Sequence, residues 1–257
     1  TQVVRVLDSS PSIYRGLAWR TRAEDLAVLR SVASKEFRDT SHVVLAWSNV
    51  SASSPSKREM DPAKAPGYPE GLRVAEHRRP EWSRDGTALY IGLRPRERAT
   101  TDSAAGPGGR GGDRVSDVQV WHSRDVRIMP MQKVQEQQDL QRTLLTAWHL
   151  GDGRVVQLGR DLQETVRLLE GGRFATETDR SAYSWGAKFG RPYQDIWLVD
   201  VQTGERRKAL EKVRYFYNGS ATGRRLAWYD GTHFWSYDVV SGVRTNLSVA
   251  AKADFSN

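Results

Sequence analysis

The chain contains no cysteine among its 257 residues. That excludes disulfides, thiolate metal sites and a cysteine nucleophile, and it leaves the cellular compartment open. No apolar run approaches the roughly 20 residues needed to span a bilayer. The opening residues "TQVVRVLDSS" lack the basic start and apolar stretch of a secretion signal. A periplasmic or otherwise exported location is favoured if a signal has been removed, and a cytoplasmic one is also compatible. The five histidines, His42, His77, His122, His149 and His233, show no ligand spacing, so no metal site and no cofactor are expected. The turns "LGDGR" and "SRDGT" carry too few carboxylates for calcium.

Aromatic residues are plentiful, with nine Trp and nine Tyr, a load that sheets absorb through cross-strand and inter-sheet packing. The formal charge is +8, from 39 Lys plus Arg against 31 Asp plus Glu. The basic residues are interleaved with acidic ones, as in "RPRER" and "EHRRPEWSRD". This pattern describes a solvated arginine-rich surface and argues against nucleic acid as a partner.

One short hairpin is spelled twice. "DIWLVDVQTGERRKAL" at 195–210 returns as "HFWSYDVVSGVRTNLS" at 233–248, with Trp197 to Trp235 and Gly204 to Gly242 both 38 residues apart. Trp197, Val199 and Val201 alternate with Leu198 and Asp200, which is strand periodicity, and Gly204 stands where a turn needs a left-handed residue. "LTAWHLGDGRVVQL" and "VVLAWSNVSASSPSKREM" repeat the plan. A second hairpin type alternates with the first. "WRTRAEDLAVLR" and "WSRDGTALYIGLR" each place a Leu seven positions after a Trp, Leu26 after Trp19 and Leu89 after Trp82. "EGGRFATETD" and "SATGRRLAWYD" are weaker copies.

In order, these give about four units of four short strands, at 13–60, 77–158, 166–211 and 214–248. The fold class expected is all-β, a β-propeller of four-stranded antiparallel blades spanning 1–257, either closed or a partial, open arc. A sandwich or barrel is the competing architecture, and the alternation of two hairpin types favours the propeller. Trp19, Trp47, Trp148, Trp197 and Trp235 recur at matching positions and are expected to pack between neighbouring sheets. "TQVVRVL" resembles a last strand without its blade, and "AAKADFSN" trails off where another blade could begin. An open arc would be prone to self-association through its edges.

Two stretches interrupt the rhythm. Residues 96–117 are rich in Gly, Ser and charge and read as a flexible insertion, and residues 121–142 read as a partly helical one centred on the polar run 132–142. Trp121 stands outside the repeat beside His122, Arg124, Asp125 and Arg127. Trp121, His122, Arg124 and Arg127 are the candidate substrate-binding residues, because loops on a rigid scaffold collect function. An Arg-Asp network pinning the insertion to its blade is the structural alternative.

The stretch Trp121, Asp125, Ile128, Pro130 and Gln132 resembles the W-x-x-x-D-x-x-I/L-x-P-x-Q segment in propellers of bacterial prolyl oligopeptidase family proteins, which include dipeptidyl peptidase IV and acylaminoacyl peptidases. "RPEWSRDGTALYIGLRPRE" and "DIWLVDVQTGE" are similar to repeats of the same propellers and of TolB-type periplasmic propellers. The resemblance implies a non-catalytic domain that gates a peptidase site and binds peptide substrate, with Arg124 and Arg127 meeting carboxylates. It also implies a separate C-terminal α/β-hydrolase domain bearing a serine in a G-x-S-x-G elbow. No G-x-S-x-G occurs in this sequence; the nearest string, "NGSATG" around Ser220, lacks the first glycine. No catalytic residue is therefore expected in this chain. The alternative from another class is a stand-alone TolB-like protein-interaction module.

Overall fold

The computed structural model describes residues 4–99, 129–251 and 255. The chain divides into two compact units, Thr1–Ala99 with Trp148–Val155, and Thr100–Ala147 with Val156–Asn257. Strands run in antiparallel succession, giving an all-β chain of four blade-like sheets.

The first sheet comprises β1 (Tyr14–Trp19), β2 (Leu26–Val32), β3 (Ser41–Ser48) and β4 (Ser56–Met60), paired in the order β1-β2-β3-β4. The seven-residue Trp-to-Leu spacing has a direct meaning here: Trp19 lies opposite Leu26 across the β1–β2 hairpin. The second sheet takes β5 (Leu72–Val74), β6 (Glu81–Trp82), β7 (Ala88–Pro95), β8 (Leu144–His149) and β9 (Val155–Gln157) in the order β5-β7-β8-β9, with β6 also on β7. The same spacing puts Trp82 opposite Leu89.

Within the first unit, the β1–β4 sheet and the strands β5–β7 are fastened by polar as well as apolar contacts. Trp82 Nε1 donates to the Ala18 carbonyl at 3.1 Å, the His42 ring bonds the Val74 carbonyl at 3.0 Å, and Arg73 Nη1 donates to the Thr40 carbonyl at 2.9 Å. Trp47 and Trp148 are buried, as packing tryptophans should be. Trp19 is not: it is 53% exposed at the end of β1, because an edge strand has no neighbour on its outer side. The part of "TQVVRVL" that is described forms no strand. It is held instead through Asp8, which accepts from Tyr14 Oη and Lys57 Nζ at 2.6 Å each and from Arg30 Nη1 at 3.2 Å. Burial pushes the Asp8 carboxyl up, and these donors outweigh it, holding the group at about 2.

In the second unit, β10 (Thr165–Leu168), β11 (Phe174–Asp179), β12 (Gln194–Asp200) and β13 (Arg206–Val213) form the third sheet. The fourth is built from β14 (Tyr215–Gly219), β15 (Arg225–Tyr229), β16 (Phe234–Asp238) and β17 (Arg244–Asn246). Ile196, Leu198 and Leu210 of the third sheet share one core with Leu226, Trp228 and Tyr237 of the fourth. The inward-outward alternation expected along β12 is blurred: Leu198 and Val199 are both buried, since a central strand is covered on both faces. Glycine is required where these sheets approach. A Cβ on Gly223, at φ +66°, would overlap the Glu170 carbonyl.

The repeated hairpin is one device used twice. Asp200 Oδ1 accepts from the Gln202 and Thr203 amides while Gly204 N donates back to the Asp200 carbonyl, with Gly204 at φ 76°. Asp238 accepts from the Val240 and Ser241 amides, Gly242 N donates to the Asp238 carbonyl, and Gly242 has φ 75°. The aspartate mimics a turn's own backbone and the glycine supplies the left-handed exit.

Helix α1 (Met129–Gln141) covers the polar run expected to be helical except its last residue, Arg142, and extends it at its start. Its exposed Val134 and Leu140 give it no buried stripe. A 3-10 turn (Ser181–Tyr183) and α2 (Ser184–Ala187) fall in the connection between β11 and β12 of the third sheet. Of the glycine-rich insertion, residues 96–99 are tied down by Arg38 N to the Glu97 carbonyl and Ala99 N to the Glu36 carbonyl. Residues 100–117 lie outside the described part. No helix among the described residues is long and apolar enough to cross a membrane.

Candidate functional site

In a four-stranded antiparallel sheet, the first and third connections leave one end and the second leaves the other. At the first of these ends the turns are tight, as at 169–173 and 201–205 of the third sheet. The second connections carry the irregular chain: 33–40, 96–143 and 180–193, with 230–233 short. Trp121, His122, Arg124 and Arg127 belong to the connection 96–143 and lie outside the described residues.

The connection 180–193 is the best defined of these segments. Asp195, at the start of β12, gathers it: Oδ1 accepts from Tyr183 Oη at 2.7 Å and from the Lys212 amide at 2.8 Å, and Oδ2 meets Lys208 Nζ at 2.7 Å. Burial raises the Asp195 carboxyl, but Lys208, the Lys212 amide and Tyr183 more than offset it, so it stays below the usual carboxylate range. Asp179 caps the turn by accepting from Ser181 N and Oγ at 2.9 and 2.6 Å. The tethered loop presents Trp185 and Phe189, both exposed, as an edge-to-face pair with centroids 5.8 Å apart. Lys188 lies over Trp185 at 4.7 Å. Between residues 180 and 194 the sequence holds Arg180, Lys188 and Arg191 and no acidic residue. An aromatic pair with cations around it suits an anionic or aromatic segment of a partner.

In the first unit the connection 33–40 is closed down. Phe37 bridges Arg98, Arg96 stacks over the Phe37 ring at 4.7 Å, and beneath lies a cavity of about 120 Å³ lined in part by Asp39, Ser41, His42 and Asp61. Burial, its largest influence, lowers the His42 pKa below the ordinary value.

Ser220 sits in the β14–β15 turn, its Oγ 3.2 Å from Thr222 Oγ1 and accepting from the Arg225 amide at 3.1 Å, a turn role. No group of three His, Asp or Glu side chains among the described residues could hold a metal. The 180–193 loop was not singled out from sequence, although "SAYSWGAKFGRPY" breaks strand alternation with six cationic or aromatic positions set among small residues.

No family model matches the sequence, and no curated protein matches it. Solved structures do. A prolyl endopeptidase shares 11% identity over 91% of this chain and 29% of its own, with a TM-score of 0.39. The acylaminoacyl peptidase of Pyrococcus horikoshii shares 14% over 93% of this chain and 40% of its own, at TM-score 0.34. A chain of a mitotic checkpoint complex shares 14% over 99% and 62%, at 0.32. This chain thus spans less than half of either peptidase chain.

Proposed function

We propose that this chain is the propeller part of a serine peptidase of the prolyl oligopeptidase type. In this reading it restricts access to the peptidase site and contacts peptide substrate, and a separate α/β-hydrolase domain carries the serine. The observation that carries the reading is the segment Trp121, Asp125, Ile128, Pro130 and Gln132, which falls in the long connection between β7 and β8 of a chain made of four-stranded sheets. Trp121, His122, Arg124 and Arg127 are the substrate-contacting group, the arginines pairing with peptide carboxylates.

Two measurements test it. Incubated alone with acyl-peptide and dipeptidyl substrates, the chain should give no turnover, and hydrolysis abolished by a serine reagent would defeat the non-catalytic assignment. A peptide ending in a free carboxylate should bind, and Arg124→Ala with Arg127→Ala should weaken it about a hundredfold or more, in line with two charge-assisted hydrogen bonds of about 1.5 kcal/mol or more each. Binding that ignores both substitutions removes the site.

A second reading, a stand-alone TolB-like interaction module, is favoured by the exposed Trp185–Phe189 pair and its cationic surroundings. It predicts a protein partner lost on Trp185→Ala, with peptide binding at the arginines absent.

A further inference from the structure

The loop between β11 and β12 belongs to an interior sheet, the third of four in chain order. From Trp185 to Pro192 every residue but Gly186 is exposed. Trp185 is 49% and Phe189 60% exposed, and neither joins the core shared by the third and fourth sheets. The tip is nevertheless held in one shape. The Phe189 and Arg191 amides both donate to the Gly186 carbonyl, at 3.0 and 3.1 Å, and Gly190 closes the turn at φ 73°. At the base, Tyr183 is fixed to Asp195 and packs edge-on against Tyr193 with centroids 6.1 Å apart, while Lys212 covers the Tyr193 ring at 5.4 Å. The two exposed rings are thus arranged before any partner arrives, which cuts the ordering cost of binding.

Charge divides between tip and base. Lys188, over the Trp185 ring, and the exposed Arg191 belong to the tip, and Arg180 opens the loop. The carboxylates are engaged at the base: Glu164 accepts from the Arg180 amide at 3.2 Å, Asp179 from the Ser181 amide at 2.9 Å, and Asp195 meets Lys208. Burial of the aromatic pair would be favourable, and the cations beside it decide the sign of what buries it. A lipid surface fits less well. Interfacial segments hold on through a long apolar face, and even a single acyl chain binds only marginally, whereas this tip offers two rings within five residues. A narrow acidic segment matches both the size of the tip and its charge.

We propose that the tip docks an acidic peptide segment carrying an aromatic side chain. The partner's ring packs against Trp185 and Phe189, and its flanking carboxylates pair with Lys188 and Arg191, with Arg180 adding longer-range attraction. The inference rests on the interaction-module reading, to which it gives a partner of defined chemistry, and it draws nothing from the peptidase reading.

The test uses the full chain and the labelled peptide acetyl-EEDFDEE-amide, followed by fluorescence anisotropy at low salt. Trp185→Ala should weaken binding about thirtyfold, the scale of an aromatic hot spot. Lys188→Glu with Arg191→Glu should weaken it about tenfold or more, since two exposed pairs are lost and repulsion replaces them. Salt at about 1 M, which screens charges beyond about 3 Å, should have an effect of similar size. These positions are exposed, so urea unfolding should leave each variant as stable as the unmodified chain; were Trp185→Ala to unfold, the charge-reversed chain and the salt series carry the test. Equal binding to the unmodified and Trp185→Ala chains overturns the proposal. If the neutral acetyl-QQNFNQQ-amide binds as tightly as the acidic peptide and is still lost on Trp185→Ala, the acidic partner is wrong and the interaction-module reading survives. Failure of both peptides at millimolar concentration overturns the proposal and takes the loop away from that reading as well. Vesicles of phosphatidylserine and phosphatidylcholine cover the remaining occupant: binding through Trp185 that the acidic peptide does not displace makes the tip a lipid contact and also overturns it.

Discussion

The third and fourth sheets use one hairpin at the same interval, yet they end differently. In the third sheet, Leu198 is buried under Leu226, Trp228 and Tyr237 of its neighbour. The position 38 residues on is Ser236, whose hydroxyl is buried without a partner beside an open cleft. Their second connections differ as well: 180–193 is a tethered loop with exposed aromatics, whereas 230–233 is a tight turn in which Asp230 accepts from the Thr232 and His233 amides at 2.8 Å each. The lesson is that the aspartate-glycine turn and the central strands are the repeated part. What each sheet shows to its surroundings depends on a few substitutions upon that frame.

The largest break expected is at Glu177, a buried residue of β11. It pairs with Arg206 of β13 and accepts from the Arg160 amide at 2.9 Å, while Arg206 also donates to the Leu158 carbonyl. Glu177→Ala leaves a buried guanidinium without its counter-charge and should cost about 3 to 5 kcal/mol. Urea unfolding measures it, and a loss below about 1 kcal/mol would mean that water reaches the pair.

Next comes the matched pair of positions. Leu198→Ala should cost about 2 to 4 kcal/mol through lost burial and a residual cavity. Ser236→Ala, which deletes an unpaired hydroxyl, should be neutral or stabilising by up to about 1 kcal/mol. Equal losses at the two sites would erase the contrast between the sheets.

Smaller, and confined to acid, is the effect of Asp195. Its pKa is lower folded than unfolded, so its contribution is complete above the unfolded value near 4 and is lost as pH falls through the folded value. Asp195→Asn should lower stability at neutral pH by about 1 to 2 kcal/mol and flatten the decline below pH 4. A variant with the original acid limb would show that Lys208 and Tyr183 do not hold the carboxylate. The fourth sheet has its own acid-sensitive turn at Asp230, where burial is outweighed by the His233 and Thr232 amides and Trp235 Nε1.

The smallest change concerns His42, in the first unit. With its folded pKa depressed by burial, the unfolded chain takes up the proton first, so stability declines as pH drops below about 6.5. His42→Gln should remove that slope between pH 6.5 and 5, as thermal melts would register. An unchanged slope assigns it elsewhere.

Much of the frame was legible in the sequence because it is local. Trp19 with Leu26 and Trp82 with Leu89 are cross-strand partners because a hairpin turns spacing along the chain into register. Gly204 and Gly242 have the left-handed backbone their position in the repeat demands. Trp19 was misplaced among the packing tryptophans, since a sequence does not say which strand will be an edge. The Asp195 hub joins residues 183, 208 and 212, and the Glu177–Arg206 pair spans three strands. Neither leaves a pattern at any fixed spacing.

By itself the sequence determined the strands, their turns and the repeat, because these depend on alternation and on backbone conformations that only particular residues adopt. Only tertiary structure decided which tryptophans are covered, which carboxylates are held by lysine or arginine, and which sheet face carries a cleft. Those outcomes depend on what a neighbouring strand or sheet brings within a few ångströms, and burial and charge pairing act through that distance rather than through order along the chain.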